Sequence, residues 1–277
     1  MYLVKNVKLF DPQPMGKVDI LVTNDRVAAV GNDLHPQIPG LTVIDGTGKT
    51  AVPGFIDQHV HVTGGGGEGG FNSRTPELML STVIKAGVTT LVGLLGTDSY
   101  TKSVENVLAK TKEFNADGIT AYCLTGAYVY PPVTVTGSVS KDIVYIKEIL
   151  GCKLAISDHR CSRPTKEELI RLASDIRMAA LVSGKPGILH IHLGGCGRQL
   201  EDIIEIVEEA YLPIKHFRPT QRLRSGLWNW ADGQILLRSH PKQMSCTMSF
   251  RRQVSNISQS ALIRMEAFRY GMKQGIR

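Results

Sequence analysis

No run of about 18 apolar residues occurs in this 277-residue chain, so no membrane-spanning helix is expected. Met1-Tyr2-Leu3-Val4-Lys5 lacks the pattern of a signal peptide, and the expected compartment is the cytoplasm. The five cysteines (Cys123, Cys152, Cys161, Cys196, Cys246) include no Cys-x-x-Cys pair. An odd, unpatterned set argues against a disulfide framework and for reduced thiols. Acidic residues are scarce in one region only. Residues 220–277 hold two Asp/Glu against ten Lys/Arg, a net of +8, while residues 1–219 hold 23 against 22. The overall charge of +7 therefore belongs to the tail and does not mark a nucleic-acid or membrane surface.

What is present suits one large α/β domain, or a barrel with a small satellite: 42% of the residues are hydrophobic, normal for a globular chain. Met1 to Ile44 reads as short strands: Tyr2-Leu3-Val4, Val18 to Val22, and Arg26 to Gly31, punctuated by Asn24-Asp25 and Gly31-Asn32. From Ala51 the rhythm becomes strand then helix. Strands are predicted at Ala51–His61, Thr89–Leu95, Thr120–Gly126, Cys152–Ser157, Ile188–Leu193 and Leu212–Phe217. Helices are predicted at Pro76–Ala86, Lys102–Phe114, Asp142–Leu150, Lys166–Val182 and Gln199–Glu209, the fourth opened by a Thr165-x-x-Glu168 capping box. Alternating units of this kind imply a parallel sheet with right-handed crossovers. About six βα units predict an incomplete (β/α)8 barrel after a small β-domain, with an open doubly wound sheet as the alternative. An independent β-meander is the alternative for the N-terminal strands.

The chain is organised around Ala51 to His61, AVPGFIDQHVH. The Pro-Gly pair marks a turn into an extended run that ends in His59 and His61. On a strand, residues i and i+2 share a face, so two imidazoles at the C-terminal end of a buried strand are placed to share a divalent metal. Paired strand histidines also occur simply hydrogen-bonded. The next stretch, TGGGGEGG from Thr63 to Gly70, lets backbone approach a ligand and carries one carboxylate, Glu68. Other polar residues fall at or beyond strand ends, where barrel enzymes carry function: Thr97, Tyr128, Asp158-His159-Arg160, His190 with His192, and His216 with Arg218. Lys153 stands in an apolar strand, where a lysine is costly unless paired, neutralised or snorkelling.

PGFIDQHVH resembles the first-strand motif of the amidohydrolase superfamily, and GGGGEGG with GCKLAISDHR resembles the isoaspartyl dipeptidases within it. The resemblance extends from about Met1 to Thr220. It implies a 1–50 β-domain and a 51–220 barrel segment. It also implies two zinc ions held by His59, His61, Lys153 as a carbamate, and His192, with His190 a core or supporting histidine. Glu68 would take a substrate ammonium and Arg160 a substrate carboxylate, although a surface salt bridge is the plain reading of Arg160. Thr97 and Tyr128 would contact substrate, Tyr128 as donor to a carbonyl oxygen that gains negative charge. The implied substrate is a β-aspartyl dipeptide, and the family commonly assembles into homo-oligomers. A cyclic-amide hydrolase of the dihydroorotase kind and a non-catalytic remnant are the rival readings.

Beyond Thr220 the resemblance stops. The family continues with a metal-ligating histidine where this chain has Gln221, a poor zinc ligand. The eighth-strand aspartate, the expected general base, has no in-frame counterpart. Residues 221–277 show no βα rhythm. Codons compatible with Ser260 to Arg277, read out of frame, can spell SSDQDGSIPVWDEAGDT, which resembles the family's eighth-strand stretch. The expectation is a frameshift near Gln221 and a catalytically silent chain.

Overall fold

The computed structural model describes residues 1–24 and 26–220. Gln221, the basic tail, its frame and the missing eighth-strand carboxylate lie outside the described residues. Strands β1 (Tyr2–Phe10), β2 (Pro14–Thr23), β3 (Arg26–Gly31), β4 (Thr42–Asp45) and β5 (Thr50–Ala51) form one sheet in the order β3-β2-β1-β4, with β5 also on β1. β1 and β2 alternate inward apolar residues, and Val4, Val7, Leu9, Val18, Ile20 and Val22 pack into a small core of their own. The first two strands predicted there are longer than expected, the third has the predicted bounds, and β4 and β5 were not foreseen because each is too short for a readable period.

A second sheet is wholly parallel and runs in chain order: β6 (Phe55–Val60), β7 (Val88–Gly93), β8 (Thr120–Gly126), β9 (Ile149–Ile156), β10 (Ile188–Leu193) and β11 (Phe217–Thr220). Helices α1 (Leu80–Lys85), α2 (Val104–Ala116), α3 (Val139–Tyr145), α4 (Lys166–Ser183) and α5 (Leu200–Glu209) make the crossovers. This curled sheet is a partial βα barrel, as the strand–helix rhythm implied. Leu91, Cys123, Leu154 and Ile191 from the strands meet Val107, Phe114, Leu172 and Ile176 from the helices in the main core. The capping box at Thr165 and Glu168 forms, and a second one at Ser103 and Asn106 opens α2.

Four expectations are corrected. β6 is not a buried strand: Phe55, Ile56 and Asp57 are exposed, because among the described residues β6 is paired on one side only. The third helix ends at Tyr145, and Ile149-Leu150 instead begin β9. The first helix starts at Leu80 rather than Pro76. The sixth strand is Phe217–Thr220, preceded by a 3-10 turn at Ile214–His216. His216 consequently lies below the strand ends, with its Nδ1 2.7 Å from the Gly187 carbonyl oxygen, and takes no part in the site.

Candidate active site

Alternation along two neighbouring strands builds the centre. Cys152, Leu154 and Ile156 of β9, and Leu189, Ile191 and Leu193 of β10, point into the helix-side core. The intervening Lys153, His190 and His192 therefore share the opposite, concave face. Lys153 is paired in register with His190, which brings the two side by side. From the other edge, the His59 ring stands 5.3 Å from that of His61 and 5.0 Å from that of His190, centroid to centroid. His59 Nδ1 and His190 Nε2 are 2.9 Å apart.

Burial sets the charge state here. Desolvation, helped by Lys153 nearby, lowers the His59 pKa to about 3 and holds His190 well below the ordinary imidazole value. Desolvation lowers the Lys153 ammonium to about 7. Lys153 Nζ and His61 Nδ1 are buried with no hydrogen-bond partner among the described residues. Neutral imidazoles and a near-neutral amine with free lone pairs are a donor set suited to a cation. Among the described residues no three His, Cys, Asp or Glu side chains gather as a ready-made metal cage; the amine of Lys153 occupies the centre instead.

A second layer lies at the strand ends. Tyr128, two residues past β8, places its hydroxyl 2.7 Å from His192 Nδ1. His192 Nε2 is 2.8 Å from Asp158 Oδ2. The structure thus gives His190 to His59, and His192 to Tyr128 and Asp158. Burial pushes the Tyr128 phenol up to about 12. Its ring centroid lies 5.3 Å from the Arg160 guanidinium and 5.6 Å from Lys153 Nζ. Arg160 Nη1 donates to Glu68 Oε2 at 2.7 Å, and Thr97 Oγ1 donates to Glu68 Oε1 at 2.8 Å. The Thr97 hydroxyl first, and Arg160 after it, hold the Glu68 carboxyl below its ordinary range.

The glycine-rich segment is anchored. Gly66 takes φ +76°, and a Cβ there would meet the Ser73 carbonyl oxygen at 2.5 Å, so a side chain is excluded. Arg74 ties the segment to the loop after β7 through Asp98 at 3.1 Å and Thr101 at 2.6 Å, and Lys102 Nζ donates to the Gly64 carbonyl at 2.9 Å. Sequence reading missed Arg74, Asp98 and Lys102, and named Asp158 only as part of a string. The Asp158-x-Arg160 spacing carried a signal for the last, since an Asp side chain commonly accepts from the backbone N–H two residues on.

No known family profile matches the chain. Two crystal structures of the β-aspartyl dipeptidase from Fervidobacterium islandicum AW-1, one in complex with β-Asp-Leu dipeptide, align with it at 45% identity over 79% of this chain, with TM-scores of 0.74 and 0.75. The chain has an amidohydrolase fold and is similar to β-aspartyl dipeptidases. A curated dihydroorotase from Elusimicrobium minutum is 32% identical over 124 residues, which is 42% of this chain and 28% of that enzyme. The chain spans 57% and 60% of the two dipeptidase structures, under two thirds of the proteins it resembles. Those neighbours are hydrolases. Among the described residues no helix is long and apolar enough to cross a membrane.

Proposed function

We propose that residues 51–220 are the barrel segment, and 1–50 the small β-domain, of a metal-dependent hydrolase of β-aspartyl dipeptides. The carrying observation is the Glu68–Arg160 pair at 2.7 Å over the Lys153 and histidine cluster. A β-aspartyl dipeptide brings an ammonium for Glu68 and a carboxylate for Arg160, so one ligand satisfies both partners of the pair. The 45% identity to the dipeptidase structures supports the same reading over the dihydroorotase one.

His59, His61, Lys153 and His192 would hold two zinc ions, and His192 would exchange its Asp158 or Tyr128 contact to do so. Bound zinc would supply Lewis acidity toward the scissile carbonyl and toward water. Lys153 would serve as an anionic ligand once its neutral amine adds CO2, forming an N–C bond and releasing one proton to leave a carbamate. Its lowered pKa supplies that neutral amine near pH 7. Tyr128, protonated at neutral pH, can turn its O–H from His192 to the carbonyl oxygen. This chain is read as silent, because Gln221 stands where a ligand is needed and no in-frame carboxylate serves as base.

The test is hydrolysis of β-Asp-Leu by the 277-residue chain and by a chimera whose residues after Thr220 come from the Fervidobacterium enzyme. We expect hydrolysis only by the chimera. Turnover by the native chain removes the silent reading; a folded chimera that opens dihydroorotate but leaves β-Asp-Leu intact overturns the substrate class.

A further inference from the structure

Arg160 has a planar fork of donors, and a fork of that shape invites a two-pronged grip on a substrate carboxylate. The structure leaves it only the outer end, because the Nε edge is taken. Asp158 Oδ1 accepts from Arg160 Nε at 2.8 Å and from the Arg160 backbone N–H at 2.9 Å. Asp158 Oδ2 accepts from Arg160 Nη2 at 2.8 Å. Asp158 is only 5% exposed, and its fourth contact is His192 Nε2 at 2.8 Å. One whole edge of the guanidinium is thus occupied by a buried carboxylate two residues away. Nη1 and the second N–H of Nη2 remain; in this state Nη1 donates to Glu68, and Nη2 also stands 3.5 Å from His192 Nε2.

We infer that Asp158 is a positioning residue that fixes the Arg160 guanidinium, so that its outer end, led by Nη1, is presented to a ligand carboxylate. The inference rests on the β-aspartyl reading of this site and deepens it. A ligand that enters must break the Glu68–Arg160 pair. If it carries only a carboxylate, Glu68 is left without its partner; if it carries only an ammonium, Arg160 is. A zwitterion replaces both bonds at once, while the Asp158 clamp keeps Arg160 from following Glu68 or swinging toward solvent. The rotamer freedom that a long arginine would lose on binding is already lost.

The test has a ligand-free arm and a ligand arm, both on the full chain. In 15N-edited NMR, Arg160 Nε–H should exchange slowly with solvent and shift downfield, and Asp158→Asn should abolish both effects while circular dichroism stays native. Fast exchange in the wild-type chain overturns the inference. In the second arm, β-Asp-Leu binding should weaken about tenfold or more in Asp158→Asn, and by under about twofold when the same change is made in an Arg160→Ala background. An equal loss in both backgrounds means that Asp158 acts through His192 or through folding, and overturns the inference. Asp158→Glu distinguishes mere charge from placement: it should restore little of the slow exchange, whereas full recovery would refute a geometric role. Should the wild-type chain bind no β-Asp-Leu, the substrate reading falls, and the exchange arm alone decides the role of Asp158.

Discussion

His59 Nδ1 and His190 Nε2 face each other at 2.9 Å across the concave side of the sheet, one ring donating and the other accepting. Two imidazoles can share a proton in this way only while at least one of them is neutral. Burial enforces that state, and Lys153, in register beside His190, adds to it.

Lys153 makes stability depend on pH in the metal-free, CO2-free chain. Its folded pKa, about 7, lies below its ordinary value of 10.5, so between these limits the unfolded chain binds more protons than the folded one. Stability should therefore rise with pH across this window. Lys153→Met should flatten that rise, as measured by urea midpoints at pH 7, 8, 9 and 10. Parallel curves for the two proteins would show that Lys153 is solvated.

Asp142 is fully buried and accepts from Thr125 Oγ1 (2.6 Å), Val135 N (3.0 Å), Thr136 N (2.9 Å) and Thr136 Oγ1 (2.6 Å). It gathers the end of β8 and the segment that returns to α3, which bracket Tyr128. Asp142→Ala strands four donors and should cost about 2–4 kcal/mol. Chemical denaturation measures this; a loss under about 1 kcal/mol would mean that water replaces the carboxylate.

Gly194 lets two strand ends pass closely. A Cβ there would meet the Ser157 carbonyl oxygen at 2.2 Å and the Asp158 Cα at 2.5 Å, both backbone. Gly194→Ala should therefore push the segment after β9 away from β10 and break the Asp158–His192 contact, with destabilisation of about 2–3 kcal/mol. A crystal structure or the His192 ring 15N shifts would report it. An unchanged His192 environment would contradict the close approach.

Zinc binding should require His61, whose Nδ1 is buried without a protein partner among the described residues. Equilibrium dialysis with metal analysis should find zinc on the wild-type chain and at least tenfold weaker retention in His61→Ala. Equal retention by the two would place the metal elsewhere.

The alternation of strands and helices carried the partial barrel, and the motif strings named residues that line its concave face. His190 and His192 were legible as one face because a two-residue period is a local property of a strand, whereas the register that sets Lys153 beside His190 was not. Glu68 and Arg160 were legible as charged residues on loops, but their 2.7 Å ion pair joins segments 92 residues apart and has no local signal. Other misreadings have the same origin. Ile149-Leu150 and Leu212 to His216 are apolar runs too short for period to separate helix, turn and strand, and neighbouring strands made the choice.

By itself the sequence determined which residue types stand on which face, because backbone geometry alone fixes alternation. Only the tertiary structure decided who meets whom: His190 rather than His192 against His59, Asp158 around Arg160, and β6 with its apolar residues exposed. The physical reason is that cross-strand register and loop closure depend on pairing between distant segments, which no local period encodes.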